Sequence, residues 1–331
     1  MQHLIKNIAV FVALLALLVA ECAPVEADAP VRPDASLLRV TLLGTGTPTP
    51  ESSRAGPATL VEAGGQTLLF DVGRGAVVRL AQLAIPLSKI DAVFITHLHS
   101  DHVLGLPDLQ LSMRMPADYG MRQRPLPLYG PTGTIGMARG LESAFALDIQ
   151  ARARSQKLDP AWATFEALEF ARGATVFDRG GVRVTAFEVD HSPDVTPSFG
   201  YRVDHAGRSV VISGDTRFDP RLIEAARGAD LLIHEVVSIP DEYVSRFPGM
   251  AMVLTKHTSP SQAGIIFDRV RPKLAVYYHL ALIGGASLFD VVKETRRTYA
   301  GPLQIGEDLM TFEIGEGVAV YRRDAAKQTQ Q

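Results

Sequence analysis

Cysteine is almost absent from this chain of 331 residues, and the one that occurs is Cys22. Cys22 lies in a segment that we expect to be removed as a leader, so the mature protein has no disulfide bonds and no thiolate metal ligands. Any metal ion must therefore be held by histidine and carboxylate side chains. Lipidation is one use for a cysteine so near the N-terminus, but Glu21 stands where such sites prefer a small residue. We therefore favour a discarded leader residue.

The chain also lacks a surplus of basic residues. Lys and Arg number 33 against 36 Asp and Glu, the formal net charge is -3, and the pI is about 6.3. A general nucleic-acid binder shows a basic surplus or stripe, so this class is disfavoured. The overall charge leaves a local basic patch open, because it says nothing about distribution.

Long hydrophobic runs are missing, with one exception near the start of the chain. Residues 8–20 are thirteen uncharged residues that follow Lys6, and small residues and prolines come after them. This length is typical of a signal peptide and short for a membrane span; an uncleaved membrane anchor is the alternative. We predict an exported protein, periplasmic or secreted, with no membrane span in its mature form.

The composition changes along the chain predict one folded domain. We assign a signal peptide to residues 1–22, a disordered linker rich in Pro and Ala to residues 23–36, the folded domain to residues 37–322, and a polar tail to residues 323–331. No repeat or low-complexity run interrupts the folded domain. Hydrophobic residues make up 47% of the chain, which is ordinary for a packed globular protein.

Short apolar, β-branched runs predict the strands of an α/β fold. They cover residues 39–43, 67–71, 91–95, 182–189, 209–213, 231–234 and 274–278. Helical patterns occupy residues 76–83, 135–145, 220–226, 260–269 and 288–299, with Ser259 and Ser287 at N-cap positions. The first half of the chain is rich in strands joined by hairpins, and in the second half strands alternate with helices. We therefore expect two mixed sheets packed together with helices outside.

The segment His97-x-His99-x-Asp101-His102 carries the strongest chemical signal. It follows the apolar run at residues 91–95, and alternate side chains on a strand point to one face, so His97 and His99 can bind one cation together. Asp101 and His102 come from the next turn and can face a second cation. Imidazole and carboxylate groups are ligands that zinc accepts without thiolates. A histidine-rich surface loop is the alternative interpretation.

Three further residues follow predicted strands and can complete a site for two metal ions. His191 follows residues 182–189, Asp215 follows residues 209–213, and His279 follows residues 274–278. A single histidine after a strand is more often a surface or core residue. Because three such residues accompany the stronger motif, we expect them to lie with it at one edge of the folded domain.

These residues and several neighbouring motifs resemble the metallo-β-lactamase superfamily, in particular its ribonuclease Z and arylsulfatase-like branch. The similarity runs from about residue 39 to residue 314 and includes Leu43-Gly-Thr-Gly-Thr-Pro48, Phe70-Asp71-x-Gly73, Thr96 to His102, Val189-Asp-His191, Phe199-Gly-Tyr201, Ser213-Gly-Asp215, His234-Glu235 and His279. The resemblance implies a four-layer αββα sandwich of two mixed β-sheets. Relatives often form homodimers, so a homodimer is compatible with it.

The same resemblance assigns two divalent metal ions to the site. It implies that the first ion is bound by His97, His99 and His191, the second by Asp101, His102 and His279, and that Asp215 bridges both. Zinc is the default, and Mn²⁺ or Fe²⁺ fits the same nitrogen and oxygen ligands.

A hydrolase mechanism follows from such a site. Two cations can share a hydroxide, lower its pKa and clamp an anionic ester, while Asp101 is placed to orient the nucleophile. His257 precedes a predicted helix and lies on a loop able to reach the site. In ribonuclease Z-like proteins a similar histidine donates a proton to the leaving group, and a glutamate, here Glu235, orients it. Helix capping or surface exposure is the alternative role for His257.

Four other features are expected to be structural. Asp71 resembles the buried aspartate that orients ligand histidines in this family. His234 is expected to pack or to support Glu235, and His205, in a hairpin turn, is expected to be solvated. The run from Gly44 to Pro48 lacks the ending of a phosphate loop and is expected to be a turn near the site.

The substrate stays open between several hypotheses. The first is a small phosphodiester, sulfate ester or similar anionic ester, with nucleic acid disfavoured. The alternative is a tRNA 3′-processing endoribonuclease, but two strands and their hairpin fill most of the chain between His191 and Asp215 and leave no room for the arm with which ribonuclease Z commonly grips tRNA. A lactone or β-lactam substrate, and a metal-binding protein without catalysis, are weaker alternatives.

Overall fold

The computed structural model describes residues 36–116 and 119–322. The predicted signal peptide with Cys22, the linker apart from Ser36, and the polar tail lie outside these residues, so those assignments stay predictions. Within the described ranges, no helix is long and apolar enough to cross a membrane.

The described part of the chain contains fifteen strands, which form two mixed sheets. In chain order they are β1 (Leu38–Gly44), β2 (Ala58–Ala63), β3 (Gln66–Phe70), β4 (Ala92–Phe94), β5 (Leu126–Pro131), β6 (Phe165–Phe170), β7 (Ala174–Arg179), β8 (Val182–Val189), β9 (Ser198–His205), β10 (Arg208–Ile212), β11 (Leu231–Ser238), β12 (Leu274–Leu282), β13 (Leu303–Ile305), β14 (Thr311–Ile314) and β15 (Val318–Tyr321). The first sheet has the order β15-β14-β1-β2-β3-β4-β5-β6, and the second has the order β13-β12-β11-β10-β9-β8-β7.

Each sheet changes from antiparallel to parallel pairing partway across. In the first sheet the strands from β15 to β3 pair antiparallel, and β3, β4, β5 and β6 pair parallel. In the second sheet β7 to β10 pair antiparallel and β10 to β13 pair parallel. The parallel strands β11 and β12 are buried along most of their length, which explains their nearly continuous apolar sequences.

Within residues 36–116 and 119–322, ten α-helices connect or flank the strands. They are α1 (Ala76–Gln82), α2 (Ser100–Val103), α3 (Leu106–Ser112), α4 (Thr134–Ala144), α5 (Ala146–Gln156), α6 (Pro220–Ala225), α7 (Asp241–Arg246), α8 (Ala251–Leu254), α9 (Pro260–Val270) and α10 (Leu288–Thr295). The predicted N-caps are confirmed: the side chains of Ser259 and Ser287 cap α9 and α10, each in a capping box with Gln262 or Asp290.

Three buried apolar clusters define four layers. The central cluster joins the inner faces of the sheets, with Phe70 and Phe94 from the first and Tyr201 and Ile233 from the second. A second cluster lies between the first sheet and α1, α3 and α4, and a third lies between the second sheet and α6, α9 and α10. The predicted αββα sandwich is confirmed.

The sequence patterns missed some elements. The elements that were not predicted are the strands β2, β5, β6, β7, β13, β14 and β15 and the helices α2, α3, α5, α7 and α8. In addition, β12 continues past residue 278 to Leu282. β6 has the sequence Phe-Glu-Ala-Leu-Glu-Phe, in which two glutamates three residues apart give no strand alternation. Pairing with β5 holds it in the sheet.

Candidate metal centre

All seven predicted ligands lie at one edge of the sandwich, where strands end or change register. His97 and His99 follow β4, and Asp101 and His102 lie on α2. His191 follows β8, Asp215 follows β10, and His279 lies within β12. Six of the seven side chains are buried, with His99 half-buried.

Three histidines and Asp215 form the first ligand group. The Nδ1 atom of His99 lies 3.0 Å from His97 Nε2 and 3.1 Å from His191 Nε2. The Oδ2 atom of Asp215 lies 3.9 Å from His97 Nε2 and 4.0 Å from His191 Nε2. Each residue therefore directs one nitrogen or oxygen atom toward a common point.

Asp101, His102 and His279 form the second ligand group. Asp101 Oδ2 lies 3.6 Å from His102 Nε2 and 3.2 Å from His279 Nε2. Asp215 reaches this group with both oxygens, since Oδ1 lies 3.4 Å from His102 Nε2 and Oδ2 lies 3.3 Å from His279 Nε2. Asp215 is thus the carboxylate shared by the two groups, as predicted for a bridging ligand.

The donor atoms fit divalent metal ions. In a tetrahedral zinc site with bonds of 2.0–2.1 Å, the ligand atoms lie roughly 3.3 Å apart, which is close to the spacings in both groups. Within the described residues, His102 Nε2 and Asp215 Oδ1 are buried without a hydrogen-bond partner. Buried polar atoms are seldom left unsatisfied, and a metal ion would satisfy both.

Burial and electrostatics favour the metal-binding forms of four ligands. At His102, burial alone would lower the pKa, but the carboxylates of Asp215 and Asp71 outweigh burial and raise it well above the ordinary value. Burial lowers the pKa values of His97, His99 and His191, so these imidazoles stay neutral. Burial alone would raise the pKa of Asp215, but the charges of His279 and His102 hold it well below the ordinary value. The shared carboxylate therefore stays ionised.

Asp71 and Thr96 hold two of the ligand histidines in place. Asp71 Oδ2 lies 2.8 Å from His102 Nδ1, and it accepts a hydrogen bond of 2.9 Å from the Thr96 hydroxyl. That hydroxyl in turn lies 3.0 Å from His97 Nδ1. These contacts leave Nε2 of both histidines for the metal. The contact predicted for Asp71 is confirmed, whereas the sequence placed Thr96 in the motif from Thr96 to His102 without assigning it this role.

His279 reaches the cluster because β12 contains a β-bulge. Tyr278 pairs with Glu235 and Leu280 pairs with Val236, so His279 is an extra residue between two regular pairs. Its φ angle is +43°, in the left-handed region that residues other than glycine seldom adopt. The backbone N–H of the next residue, Leu280, donates to the Thr45 carbonyl at 3.0 Å. The turn that contains Thr45 therefore lies near the site, as expected.

His257 and Glu235 form a hydrogen-bonded pair beside the two ligand groups. His257 Nδ1 lies 3.1 Å from Glu235 Oε1 and 4.0 Å from Asp215 Oδ2. Glu235 is fully buried, and the same oxygen accepts hydrogen bonds from the backbone N–H groups of Thr216 and Thr258. Burial alone would lower the pKa of His257, but the Glu235 carboxylate raises it to about 9.

The two remaining histidines of the described ranges lie outside the cluster. His234 is fully buried, its Nδ1 atom lies 2.6 Å from the Glu235 carbonyl oxygen, and its ring packs against Phe267, as expected for a structural residue. The expectation that His205 is solvated was wrong. Its side chain is buried, and Nδ1 lies 3.0 Å from the Gly181 carbonyl oxygen, because the β7–β8 turn folds over the hairpin.

The layered sandwich and the clustered His and Asp side chains define a class of metal-dependent hydrolases, and known proteins show which one. A model described as "Beta-lactamase superfamily domain" matches residues 66–280. Ribonuclease Z of Mycobacterium marinum is 35% identical over 283 residues, which cover 84% of this chain and 99% of that protein. Ribonuclease Z of Mycobacterium bovis is 34% identical over 281 residues, with the same coverage.

Solved structures agree with the fold. The metallo-β-lactamase fold protein YhfI from Bacillus subtilis superposes with a TM-score of 0.65 at 21% identity, over 84% of this chain and 100% of its own. The short form of human tRNase Z superposes with a TM-score of 0.61 at 24% identity, over 82% of this chain and 98% of its own. The chain belongs to the metallo-β-lactamase superfamily and, within it, to the ribonuclease Z branch.

Proposed function

We propose that this protein is a metal-dependent phosphodiesterase that cleaves RNA. The observation that carries the proposal is the His257–Glu235 pair, which lies beside the shared Asp215 at the edge of two metal-ligand groups. Such a pair adds a proton donor to a site that binds metal. The relatives named Ribonuclease Z, aligned over nearly their whole length, favour RNA as the substrate.

We assign the metal ligands as the two groups suggest. His97, His99 and His191 would hold one ion, Asp101, His102 and His279 would hold the other, and Asp215 would contact both. Two divalent ions, zinc by preference, would lower the pKa of the attacking water and stabilise the negative charge that develops on the phosphoryl oxygens. Asp101 contacts His102 and His279 through Oδ2, and we assign it the further role of orienting that water.

His257 would act as the general acid. Its Nδ1–H donates to Glu235, so Nε2 is the atom that can give a proton to the leaving oxygen. The ligand atoms of His257, Asp215 and His279 are also close enough to share a metal ion. The His257 nitrogen that faces Asp215 is already hydrogen-bonded to Glu235. We therefore favour a role for His257 as proton donor rather than as a further metal ligand.

A small anionic ester remains the second candidate substrate. β9, β10 and their two-residue turn fill the chain between residues 198 and 212, so the segment from His191 to Asp215 holds no extended arm. This argument against RNA is weakened by the relatives. The alignment with the Mycobacterium marinum protein spans 84% of this chain and 99% of the relative in 283 residues, so neither chain holds a long insertion that the other lacks.

A substrate panel tests the proposal. The purified metal-loaded protein is assayed with a precursor tRNA, a short single-stranded RNA, bis-p-nitrophenyl phosphate, p-nitrophenyl sulfate, a lactone and nitrocefin. We expect hydrolysis of the phosphodiesters, with kcat/KM highest for RNA. Preference for bis-p-nitrophenyl phosphate would favour the small ester, and hydrolysis of only the sulfate, the lactone or nitrocefin would overturn the phosphodiesterase assignment.

We also propose export of the mature protein. The support is the sequence pattern of residues 1–22 alone, with a lipoprotein through Cys22 as the less favoured form. Expression of the full chain followed by cell fractionation and mass measurement of the intact product tests this. Export predicts a product outside the cytoplasm that is shorter by the leader, and a full-length cytoplasmic product would contradict it.

A further inference from the structure

A basic pocket lies between the loop after β1 and the start of α1, in a region whose backbone approaches the backbone of Asp101. Its volume is about 260 Å³, and its polar and charged lining residues are Glu51, Ser52, Arg54, Arg74 and Arg79. Pockets that take drug-sized ligands usually measure roughly 300–1,000 Å³, so this one suits a group smaller than a nucleoside.

Two of the three arginines form no ion pair within the described residues. Arg79 forms an ion pair of 3.0 Å with Asp308. Arg54 donates instead to the Thr45 hydroxyl and to the Gly306 carbonyl, and Arg74 donates to the Pro48 carbonyl. Across the described part of the chain, neither Arg54 nor Arg74 has a carboxylate within ion-pair distance, and Glu51 is the only acid in the lining.

Both arginines retain donors for a ligand. A guanidinium group has five N–H donors, and Arg74 uses Nη2 alone in its one hydrogen bond while Arg54 uses Nη1 alone. Such groups bind phosphate through two parallel hydrogen bonds, which an ammonium group cannot do. A small anion with several oxygens therefore fits the pocket best.

The segment that carries Arg74 approaches the segment that carries Asp101 at Gly56. A Cβ atom at Gly56 would lie 2.7 Å from the Arg74 backbone nitrogen and 3.0 Å from the Asp101 carbonyl oxygen. Both atoms lie near the same point, so the backbones of Arg74 and Asp101 lie close together beside Gly56. The Gly56 N–H donates to the Arg74 carbonyl at 2.9 Å, which fixes this approach.

We propose that this pocket binds a phosphate of the substrate that neighbours the scissile one, with Arg74 as the main contact. The proposal rests on the proposed phosphodiesterase function and narrows it to substrates that carry more than one phosphate. An RNA strand provides such a phosphate, and an isolated diester does not. Arg74 thereby becomes a residue that determines specificity.

A comparison of two substrates tests the proposal. Arg74→Ala and the wild type are assayed with a short single-stranded RNA and with bis-p-nitrophenyl phosphate, which has no second phosphate. We expect kcat/KM for the RNA to fall roughly 10- to 100-fold more than kcat/KM for the small diester, as the loss of a charged hydrogen bond predicts. Arg74→Lys keeps the charge without the paired donors and is expected to recover part of the loss.

The salt dependence gives a second readout. For the RNA, the slope of log kcat/KM against log salt concentration is expected to become shallower by about 0.7 in Arg74→Ala, because one phosphate contact to a single strand is lost. The control is Arg154→Ala, which removes an exposed arginine on α5 and is expected to leave both substrates and the slope unchanged.

Two results would overturn the pocket. Equal losses on both substrates would show a structural effect of Arg74, and an unchanged slope with unchanged RNA cleavage would show that no phosphate binds there. Failure of the proposed function is a different result, because the wild type itself would then fail to cleave the RNA.

Discussion

Asp215 is the residue through which the two ligand groups meet. Its two oxygens lie within 4.0 Å of five histidine side chains, and it is almost wholly buried. A buried carboxylate without partners of opposite charge would be costly, and here the surrounding imidazoles and the proposed cations offset that cost. The chemistry of the site thus depends on the oxygen atoms of this one carboxylate, and the surrounding side chains set their environment.

The first prediction concerns Asp71, a positioning residue. Asp71→Asn replaces the carboxylate that faces His102 Nδ1 and Thr96, so His102 is held less firmly and is less basic. We expect metal affinity to fall roughly 10- to 100-fold, as is usual for such partners of ligand histidines. Competition with a chromophoric chelator measures the affinity.

The control for Asp71 is Asp178→Asn, an exposed aspartate paired with Arg183 on the surface. It changes the same functional group far from any ligand and is expected to leave metal affinity as in the wild type. Equal metal affinities for Asp71→Asn and the wild type would show that Asp71 does not support metal binding through His102.

The second prediction concerns His257. His257→Ala removes the proposed proton donor, so turnover of an RNA substrate is expected to fall by roughly 10²- to 10⁴-fold. Metal content, measured by inductively coupled plasma mass spectrometry, is expected to stay at the wild-type level. A fall in bound metal would instead make His257 a ligand, and a loss of turnover below tenfold would contradict the general-acid role.

At the scale of single elements, β9 connects the two sheets beneath the metal centre. The Tyr201 hydroxyl donates to the Ile95 carbonyl at 2.6 Å, and the Phe199 N–H donates to the Thr96 carbonyl at 2.9 Å. These two carbonyls immediately precede His97. A strand of the second sheet therefore fixes the end of β4 in the first sheet.

The third prediction tests this connection. Tyr201→Phe leaves the buried Ile95 carbonyl without its donor, so the free energy of unfolding is expected to fall by about 1–3 kcal/mol. Urea denaturation measures the change. Tyr321→Phe, at an exposed tyrosine on β15, removes the same hydroxyl and is expected to change the free energy by less than about 0.5 kcal/mol. Equal stability of the two variants would show that the cross-sheet hydrogen bond contributes little.

Much of the site could be predicted because ligands that directly follow apolar strands can be recognised from the sequence pattern. Four ligands lie within the six residues 97–102, shortly after β4, and His191 and Asp215 each follow a strand with clear apolar character. The bulge at His279 was not predicted, since it depends on how β12 pairs with β11 rather than on local propensity. The pocket beside Arg74 was missed for a similar reason: the loop from Pro48 to Ala55 and the residues after Asp71 meet only in the folded chain.

At the scale of the whole molecule, the metal centre draws ligands from both sheets. His97, His99, Asp101 and His102 follow the first sheet, whereas His191, Asp215 and His279 belong to the second. Bound ions would thus connect the two halves of the sandwich. Binding to the folded state alone stabilises it by mass action.

The fourth prediction is a loss of thermal stability on metal removal. One ion present at a thousand times its Kd contributes about 4 kcal/mol, which corresponds to roughly 8–16 °C in Tm for a domain of this size. Dialysis against a chelator, followed by differential scanning calorimetry, measures the shift. The Asp215→Ala variant loses the shared ligand, and we expect its Tm to respond much less to the chelator. An identical response would place the stabilising ions elsewhere.

The extra residue in β12 also limits how this chain can be altered. Deletion of the residue between Tyr278 and Leu280 would remove the bulge. β12 would then pair with β11 residue by residue, as in a regular sheet. The sandwich could survive such a deletion, but the imidazole would leave the cluster. A homologue or engineered variant that is one residue shorter here would be a stable scaffold that cannot complete its second ion site.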